Sequence, residues 1–351
     1  MDALTAIKVF IPAAVSFVIG IAITPLVTNF LYKHKMWKKK ARSEATGGGG
    51  APIFHELHKE REVNTPRMGG IIIWASVLLT TLLLWLIAFF AESDEVRRLS
   101  FVSRSQTWLP LFTLVVASLV GLVDDVLTVS GKGGAAGGGL KLRIRIVIVL
   151  TLGYIGGWWF FAKLGMTALS VPFLGTLPLG VLIIPFFMLV MLALFAGGVI
   201  DGIDGLSGGL MAQIFAAYGA IALFQNQVDL AAFCFVIVGG ILAFLWFNIP
   251  PARFYMTETG ILGLTTTLTV IAFLTDAVFV LPIIAFLVLI APASSAIQIL
   301  SKKLRGGKKI FLVAPIHHHF EAVGWAPYKV TMRFWVAGAI LSMIGIVLAL
   351  I

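Results

Sequence analysis

Charged residues are scarce in this chain: they make up 12% of its 351 residues, whereas hydrophobic residues make up 59%. A soluble globular domain carries about 25% charged residues, so this scarcity excludes that class and predicts a membrane protein. Cysteine is nearly absent as well. The one cysteine, Cys234, lies inside an apolar run, which excludes an intramolecular disulfide framework.

Ten apolar runs fill most of the chain, and each has roughly the 20 residues that a helix needs to cross the hydrocarbon of a bilayer. The first run has no small-residue cleavage site, which favours a retained span over a signal peptide. We therefore predict an all-α polytopic membrane protein in which residues 1–351 form a single transmembrane domain. The predicted spans are 5–31, 69–91, 108–129, 144–164, 176–196, 208–225, 229–247, 259–275, 278–301 and 330–351.

The basic residues are distributed unevenly between the two sets of connecting loops. If the N-terminus lies outside, 21 of the 26 Lys and Arg residues fall in inner loops and five fall outside. Lys and Arg concentrate in cytoplasmic loops, so we expect both termini outside and the opposite loops in the cytoplasm. The expected cytoplasmic loops are about 32–68, 130–145, 197–207, 248–258 and 302–333.

The net charge of +10 is spread over loops rather than gathered in a soluble domain, which argues against nucleic acid as a partner. Anionic head groups of the lipid bilayer account for it better. We interpret the glycine tracts 47–50 and 133–139 as linkers, because they lack the strand–turn–helix context of a phosphate-binding loop. The amphipathic piece around 53–61 is typical of a surface helix.

Five acidic residues lie at the edges of apolar runs: Asp124, Asp125, Asp201, Asp204 and Glu258. Ionisable groups so close to hydrocarbon are costly and usually serve a function. All five edges face the expected cytoplasmic side. Carboxylate oxygens suit Mg²⁺, which also binds substrate phosphates, so the pattern indicates a magnesium site for a phosphorylated substrate. Solvated span boundaries, an ordinary turn and a helix cap at Glu258 are the structural alternatives.

The spacing of these acids limits what each pair can do. Asp201 and Asp204 are three residues apart and share a face if the segment is helical. Asp124 and Asp125 are adjacent, so they point about 100° apart on a helix and can share one metal only near its fraying end.

A row of three histidines, His317–His319, precedes Phe320 and Glu321. Its internal position excludes a purification tag, and a zinc site would need spaced ligands and usually thiols. Imidazole groups beside the basic segment 302–309 could instead donate hydrogen bonds to a phosphate or a sugar.

Five motifs occur in a fixed order: Asn64–Gly70, Asp124-Asp125, Asp201–Leu206, Asn248–Arg253 and His317–Glu321. In this order the chain resembles the polyprenyl-phosphate N-acetylhexosamine-1-phosphate transferases from about residue 64 to residue 335. The histidine motif resembles, within them, the phospho-N-acetylmuramoyl-pentapeptide transferases.

The resemblance implies transfer of phospho-MurNAc-pentapeptide from UDP-MurNAc-pentapeptide to undecaprenyl phosphate, which yields lipid I and UMP with Mg²⁺ as cofactor. It also implies an enzyme of the bacterial inner membrane with ten spans, and it suggests a homodimer. In this family pattern Asp124 or Asp125 prepares the lipid phosphate, Glu258 is the metal ligand and Tyr255 stacks on uracil. Asp204 contacts the uridine.

Carried over position by position, the resemblance implies three groups of site residues. The catalytic residues are Asp124, Asp125, Glu258 and His318; the substrate-binding residues are Asp201, Asp204, Asn248, Tyr255, Arg145, His317 and His319; the metal ligands are Glu258, Asp124 and Asp125.

The chain departs from the family pattern near the expected metal. The family reads Phe-Met-Gly-Asp-x-Gly where this chain has 255–260, so Glu258 replaces an aspartate. Two asparagines of the family appear here as Phe195 and Gly198, and two lysines appear as Val63 and Thr128. A basic residue is kept at Arg145.

These departures leave two alternatives to the main hypothesis. The first is a related transferase that uses another UDP-N-acetylhexosamine. The second is a non-catalytic membrane homologue or a transporter. Transporters usually place ionisable groups near the bilayer midplane, whereas these acids lie at one edge.

Overall fold

The structure is a computed structural model that describes residues 2–39, 63–97, 99–103, 106–133 and 139–351. Ten helices are long and apolar enough to cross a membrane, which confirms the predicted all-α architecture. They are α1 Ala3–Lys33, α2 Ile71–Phe90, α3 Trp108–Ser130, α4 Leu142–Ala162, α5 Ile183–Gly197, α6 Leu206–Phe224, α7 Val228–Asn248, α8 Thr257–Leu274, α9 Phe286–Leu304 and α10 Pro327–Ala349. The fifth span is completed by two short 3₁₀ helices, Gly180–Leu182 and Gly198–Ile200, which extend α5 to Gly180–Ile200.

Short α-helices at Asp94–Arg97, Leu281–Ile284 and Ile316–Ala322 lie between the long ones. Three expectations fall partly or wholly outside the described residues: the glycine tract 47–50, the surface helix at 53–61 and the tract 133–139, of which 134–138 are not described.

The fifth and ninth spans begin later than the sequence predicted. The segment before α5 is an antiparallel hairpin of β1 Ala168–Val171 and β2 Gly175–Pro178, in which Leu169 pairs with Leu177. The chain carries no charged residue between Lys163 and Asp201. The hairpin and the helix therefore form one continuous apolar run in the sequence, and no boundary between them was predicted. Pro172 and Gly175 were the available turn signals. Similarly, the helix Leu281–Ile284 precedes α9.

Three helices form the centre of the bundle. The apolar windows of α6, α7 and α8 are 78%, 72% and 89% buried, whereas those of the other seven are 22–39% buried. The central α8 contains threonines, and the hydroxyl groups of Thr265, Thr266 and Thr269 donate to carbonyls of the preceding helical turn. These bonds satisfy polar atoms that would otherwise be costly in an apolar interior.

Glycines let two helix pairs approach closely. A Cβ atom at Gly121 of α3 would lie 2.1 Å from the carbonyl oxygen of Glu258 at the start of α8. A Cβ atom at Gly239 of α7 would lie 2.1 Å from the carbonyl oxygen of Ala13 in α1. The first contact brings the end of α3, which carries Asp124 and Asp125, against the start of α8.

We expect Gly239→Ala to lower the apparent unfolding temperature in detergent, because the added methyl group meets backbone that cannot rotate away. Overpacking of this kind costs about 1–3 kcal/mol or more. Gly338→Ala is the matched control, since its methyl group would meet only side-chain atoms, Oε1 of Gln213 and Cδ2 of Leu210, which can move more easily than backbone. Equal losses in the two variants would contradict the close approach of α7 to α1.

Candidate functional site

Two of the predicted carboxylates share one cation. Arg145, near the start of α4, donates from Nη2 to Asp124 Oδ2 at 2.8 Å and from Nη1 to Glu258 Oε1 at 2.5 Å. The backbone N–H of Leu140 also donates to Asp124 Oδ1 at 2.6 Å. The structure therefore places residues of α3, α4 and α8 in one group, with two like charges held together by the guanidinium.

Asp125 is fully buried, and both of its oxygens are occupied. Oδ1 accepts from Nε and Nη2 of Arg67 at 3.2 and 3.0 Å. Oδ2 accepts from the hydroxyl groups of Thr257 and Thr259 at 2.5 and 2.7 Å and from the N–H of Thr259 at 2.9 Å. Asp125 thus ties α3 to the first turn of α8 and to the segment that carries Arg67.

Thr257 holds an uncommon backbone conformation at the start of α8. Its φ of 57° lies in the left-handed region, which a β-branched residue rarely adopts. The surroundings enforce it: the N–H of Met68 donates to the Thr257 hydroxyl at 3.1 Å, and the N–H of Thr257 donates to Asp201 Oδ2 at 2.8 Å. Strain of this kind concentrates at functional sites.

The Asp201–Gly205 segment is a turn. The condition under which Asp201 and Asp204 would share a helix face is therefore not met. Asp201 accepts from the hydroxyl of Ser207 at 2.6 Å in addition to Thr257. Burial raises the pKa of the Asp201 carboxyl above its ordinary value, against the opposing effect of these two hydrogen bonds. The hydrogen bond from the N–H of Thr257 joins the Asp201 side chain to the start of α8.

Asp204 and Asn248 organise the segment between α7 and α8. The N–H of Ala252 donates to Asp204 Oδ2 at 3.1 Å. Asn248 Oδ1 accepts from the N–H of Gly205 at 3.0 Å, and its Nδ2 donates to the carbonyl of Phe254 at 2.8 Å. The two predicted residues thus hold the turn and this segment together.

Tyr255 follows on the same segment, next to the Asn64–Gly70 motif. Its N–H donates to the carbonyl of Pro66 at 2.9 Å, and its own carbonyl accepts from the N–H of Gly69 at 2.8 Å. Its side chain is partly exposed, so the ring stands at the margin of the site.

The histidine row, His317–His319, lies on the short helix Ile316–Ala322 and contacts the aspartate turn. His318 Nδ1 is hydrogen-bonded to Glu321 Oε2 at 2.6 Å, and both side chains are buried. A Cβ atom at Gly202 would lie 2.7 Å from Nε2 of both His317 and His318. Only glycine at position 202 permits this approach.

His319 points to the other side of the row. Its Nδ1 accepts from the N–H of Leu312 at 3.2 Å, so in the neutral imidazole the proton is on Nε2.

A cleft ends at the Asp124–Arg145–Glu258 group. Apart from these three residues its lining is apolar, and it includes Phe195, where the family pattern has asparagine. The other lining residues are Val120, Leu140, Ile148, Val149 and Leu262.

The donor atoms fit a magnesium ion that is held jointly with a substrate. Among the described residues no three His, Cys, Asp or Glu side chains are grouped closely enough to hold a metal ion by themselves. Asp124 and Glu258 nevertheless converge on one cation, and Mg²⁺ is usually bound by one or two carboxylates together with phosphate oxygens and water.

Sequence reasoning missed several residues that organise the site. Arg67 lay inside a recognised motif but was given no role, and Thr257 and Thr259 were seen only as part of a departure from the family pattern. Glu321 belonged to the recognised histidine motif but was given no role, and Ser207 escaped notice. The position of Arg67 directly before an apolar run was the available signal, because a cation there needs an acidic partner.

Comparison with known proteins gives near full-length relatives. The profile of glycosyl transferase family 4 matches residues 107–276. The phospho-N-acetylmuramoyl-pentapeptide-transferase of Listeria innocua is 34% identical over 336 residues, which cover 95% of each chain. Proteins of the same name from a Geobacillus species and from Chloroflexus aurantiacus are 34% and 31% identical, over 94% and 97% of this chain and 94% and 89% of their own lengths.

We expect Arg67→Met to destabilise the protein by about 3–5 kcal/mol, because it leaves Asp125 as an uncompensated buried charge. The measurement is the loss of apparent unfolding temperature in detergent. Arg253→Met is the matched control, since Arg253 is exposed and packs its guanidinium on the ring of Phe247 at 5.8 Å. Comparable losses in both variants would refute the structural role of the Arg67–Asp125 pair.

Proposed function

The chain belongs to the phospho-N-acetylmuramoyl-pentapeptide transferase family, and from this membership we propose that it transfers phospho-MurNAc-pentapeptide from UDP-MurNAc-pentapeptide to undecaprenyl phosphate. The products are lipid I and UMP. The observation that carries the proposal is the similarity over 95% of the chain to transferases of this name. It is supported by the clustering of acids and guanidinium groups at one end of the bundle.

In the proposed reaction an oxygen of the lipid phosphate attacks the phosphorus that is bonded to the sugar. A new P–O bond forms to the lipid phosphate, and the bond to UMP breaks, so UMP leaves with the electron pair. The two substrates are both anions. The protein's task is to hold them against their mutual repulsion and to stabilise the charge that develops on the leaving phosphate.

We assign the cation-holding role to Asp124 and Glu258, whose carboxylates converge on Arg145. Mg²⁺, when bound there, would neutralise phosphate charge. Arg145 would then be available to donate to a substrate phosphate. Asp125 has both oxygens occupied by Arg67 and the two threonines, so we assign it to positioning Asp124 and the start of α8.

The remaining residues are assigned to the donor substrate. Tyr255 stands at the margin of the site, where a ring can stack on uracil. Asp201, Asp204 and Asn248 hold the adjoining segments and form the nucleotide side. The histidine row is assigned to the pyrophosphate or the sugar, with His318 oriented by Glu321.

The same arrangement supports a proposal for the orientation in the membrane. The end of α3, the start of α4, the turn after α5 and the start of α8 all lie at the end of the bundle where the basic loops are expected. We propose that this end faces the cytoplasm of a bacterial inner membrane, that both termini lie outside, and that residues 1–351 act as one domain. We also propose a homodimer, by analogy with the family.

The direct test supplies the detergent-purified protein with Mg²⁺, undecaprenyl phosphate and either UDP-MurNAc-pentapeptide or UDP-GlcNAc. We expect UMP release and a new lipid product with the muramoyl donor alone. Omission of Mg²⁺ should abolish both. Turnover with UDP-GlcNAc alone would instead assign the chain to a related transferase. No turnover with either donor, from protein that a thermal-unfolding measurement shows to be folded, would contradict the proposed activity.

We expect Asp124→Asn to abolish turnover, because it removes a charge from the proposed cation site.

We also expect Glu258→Asp to lower kcat by about 10²-fold, since a displacement of roughly 1 Å can cost that much, although aspartate is the family's usual residue. Glu92→Asp, the same change in an exposed loop at the opposite end, is the control. Improved turnover in Glu258→Asp would contradict the fit between Glu258 and Arg145.

A further inference from the structure

Five basic residues are gathered in a segment that the proposed reaction does not use. We define the basic loop as Lys302–Leu312, which comprises the last turn of α9 and the segment after it; its cations are Lys302, Lys303, Arg305, Lys308 and Lys309. The chain contains no acidic residue between Asp276 and Glu321. Within the part of the chain that the structure describes, none of the five cations forms an ion pair. The loop therefore presents a concentrated positive charge.

The basic loop has a defined shape that α9 holds in place. Gln298 Oε1 accepts from the N–H groups of Ile310 and Phe311, both at 3.0 Å, and its Nε2 donates to the carbonyl of Phe311 at 2.7 Å. The hydroxyl of Ser301 donates to the carbonyl of Lys308 at 2.9 Å. Two polar side chains of α9 are thus committed to folding the loop back on the helix.

Large apolar side chains stand among these cations. Leu304, Ile310 and Leu312 are 71%, 50% and 49% exposed. A soluble phosphate would engage the cations and leave these side chains in water. A bilayer surface offers both anionic head groups and acyl chains, and mixed basic and apolar surfaces of this kind bind there.

The basic loop also adjoins the histidine row. The N–H of Leu312 donates to His319 Nδ1, and the rings of Phe311 and His319 are 5.6 Å apart. A lipid head group bound by the loop would therefore lie beside the candidate site.

We propose that the basic loop is a docking surface for the anionic head groups of bilayer phospholipids. The cations bind the head-group phosphates, and Leu304, Ile310 and Leu312 enter the boundary between head groups and acyl chains. This interaction is separate from the transfer reaction and does not depend on the donor substrate.

The test places a fluorophore on the loop of the full-length protein in nanodiscs. Cys234 is buried, so Cys234→Ala with Leu304→Cys gives one labelling site. Phosphatidylglycerol and phosphatidylcholine, spin-labelled at the same upper position of the acyl chain, serve as quenchers. We expect stronger quenching by phosphatidylglycerol, and this difference should disappear in about 1 M salt, where the Debye length falls to about 3 Å.

The double variant Lys308→Gln/Lys309→Gln should lower the preference for phosphatidylglycerol by roughly tenfold or more, given typical affinities of Lys for anionic surfaces. Lys33→Gln/Lys39→Gln removes two exposed cations from the end of α1 and the segment after it and should leave the preference unchanged. Equal quenching by both lipids, or a preference that survives the loop variant, would overturn the proposal. So would loss of the preference on adding inorganic phosphate at constant ionic strength, because it would indicate a site for soluble anions.

This readout needs no turnover. If the protein does not transfer the muramoyl donor, the preference for phosphatidylglycerol in the quenching experiment is still expected. If the basic loop shows no such preference, the proposed transfer activity is still tested separately by UMP release.

Discussion

The buried carboxylate of Asp125 is the interaction on which the site depends. It accepts hydrogen bonds from Arg67, Thr257 and Thr259, and so joins three segments that are distant in sequence. A buried charge is tolerated only when it is paired and fully hydrogen-bonded. Since Asp124 precedes it on α3 and Glu258 lies between the two threonines, satisfying Asp125 also sets where the neighbouring carboxylates stand.

Glu258 and Phe195 depart from the family pattern in the same cleft. The longer Glu258 side chain reaches Arg145, which also binds Asp124. Phe195 contributes an apolar wall where an amide is usual. An apolar wall lowers the local dielectric and strengthens the attraction between Arg145 and both carboxylates. The two departures are therefore mutually consistent, because a carboxylate beside hydrocarbon requires a firmly held cation.

The sequence was sufficient to predict ten membrane-spanning helices, because the length of an apolar run can be read locally along the chain. It also singled out acids that the structure brings together, Asp124 and Glu258 on Arg145, since charge beside hydrocarbon is costly wherever it lies in the chain. It did not reveal that Arg67 pairs with Asp125, because partner choice depends on how α3 packs against α8. The hairpin before α5 was missed for the opposite reason: an uncharged stretch gives no local contrast between strand, turn and helix.

The charges in contact at the site explain why it lies at the edge of the bundle. Asp124, Asp125 and Glu258 meet Arg67 and Arg145, so with all five groups ionised one negative charge remains before any ligand binds. At the bilayer midplane an unbalanced charge would cost much free energy, and a position at the edge of the bundle avoids that cost. A divalent cation would reverse the sign of the remaining charge and prepare the site for phosphate. The same edge is reached by a nucleotide from water and by a lipid phosphate from the bilayer, and a reaction between these two substrates requires a site there.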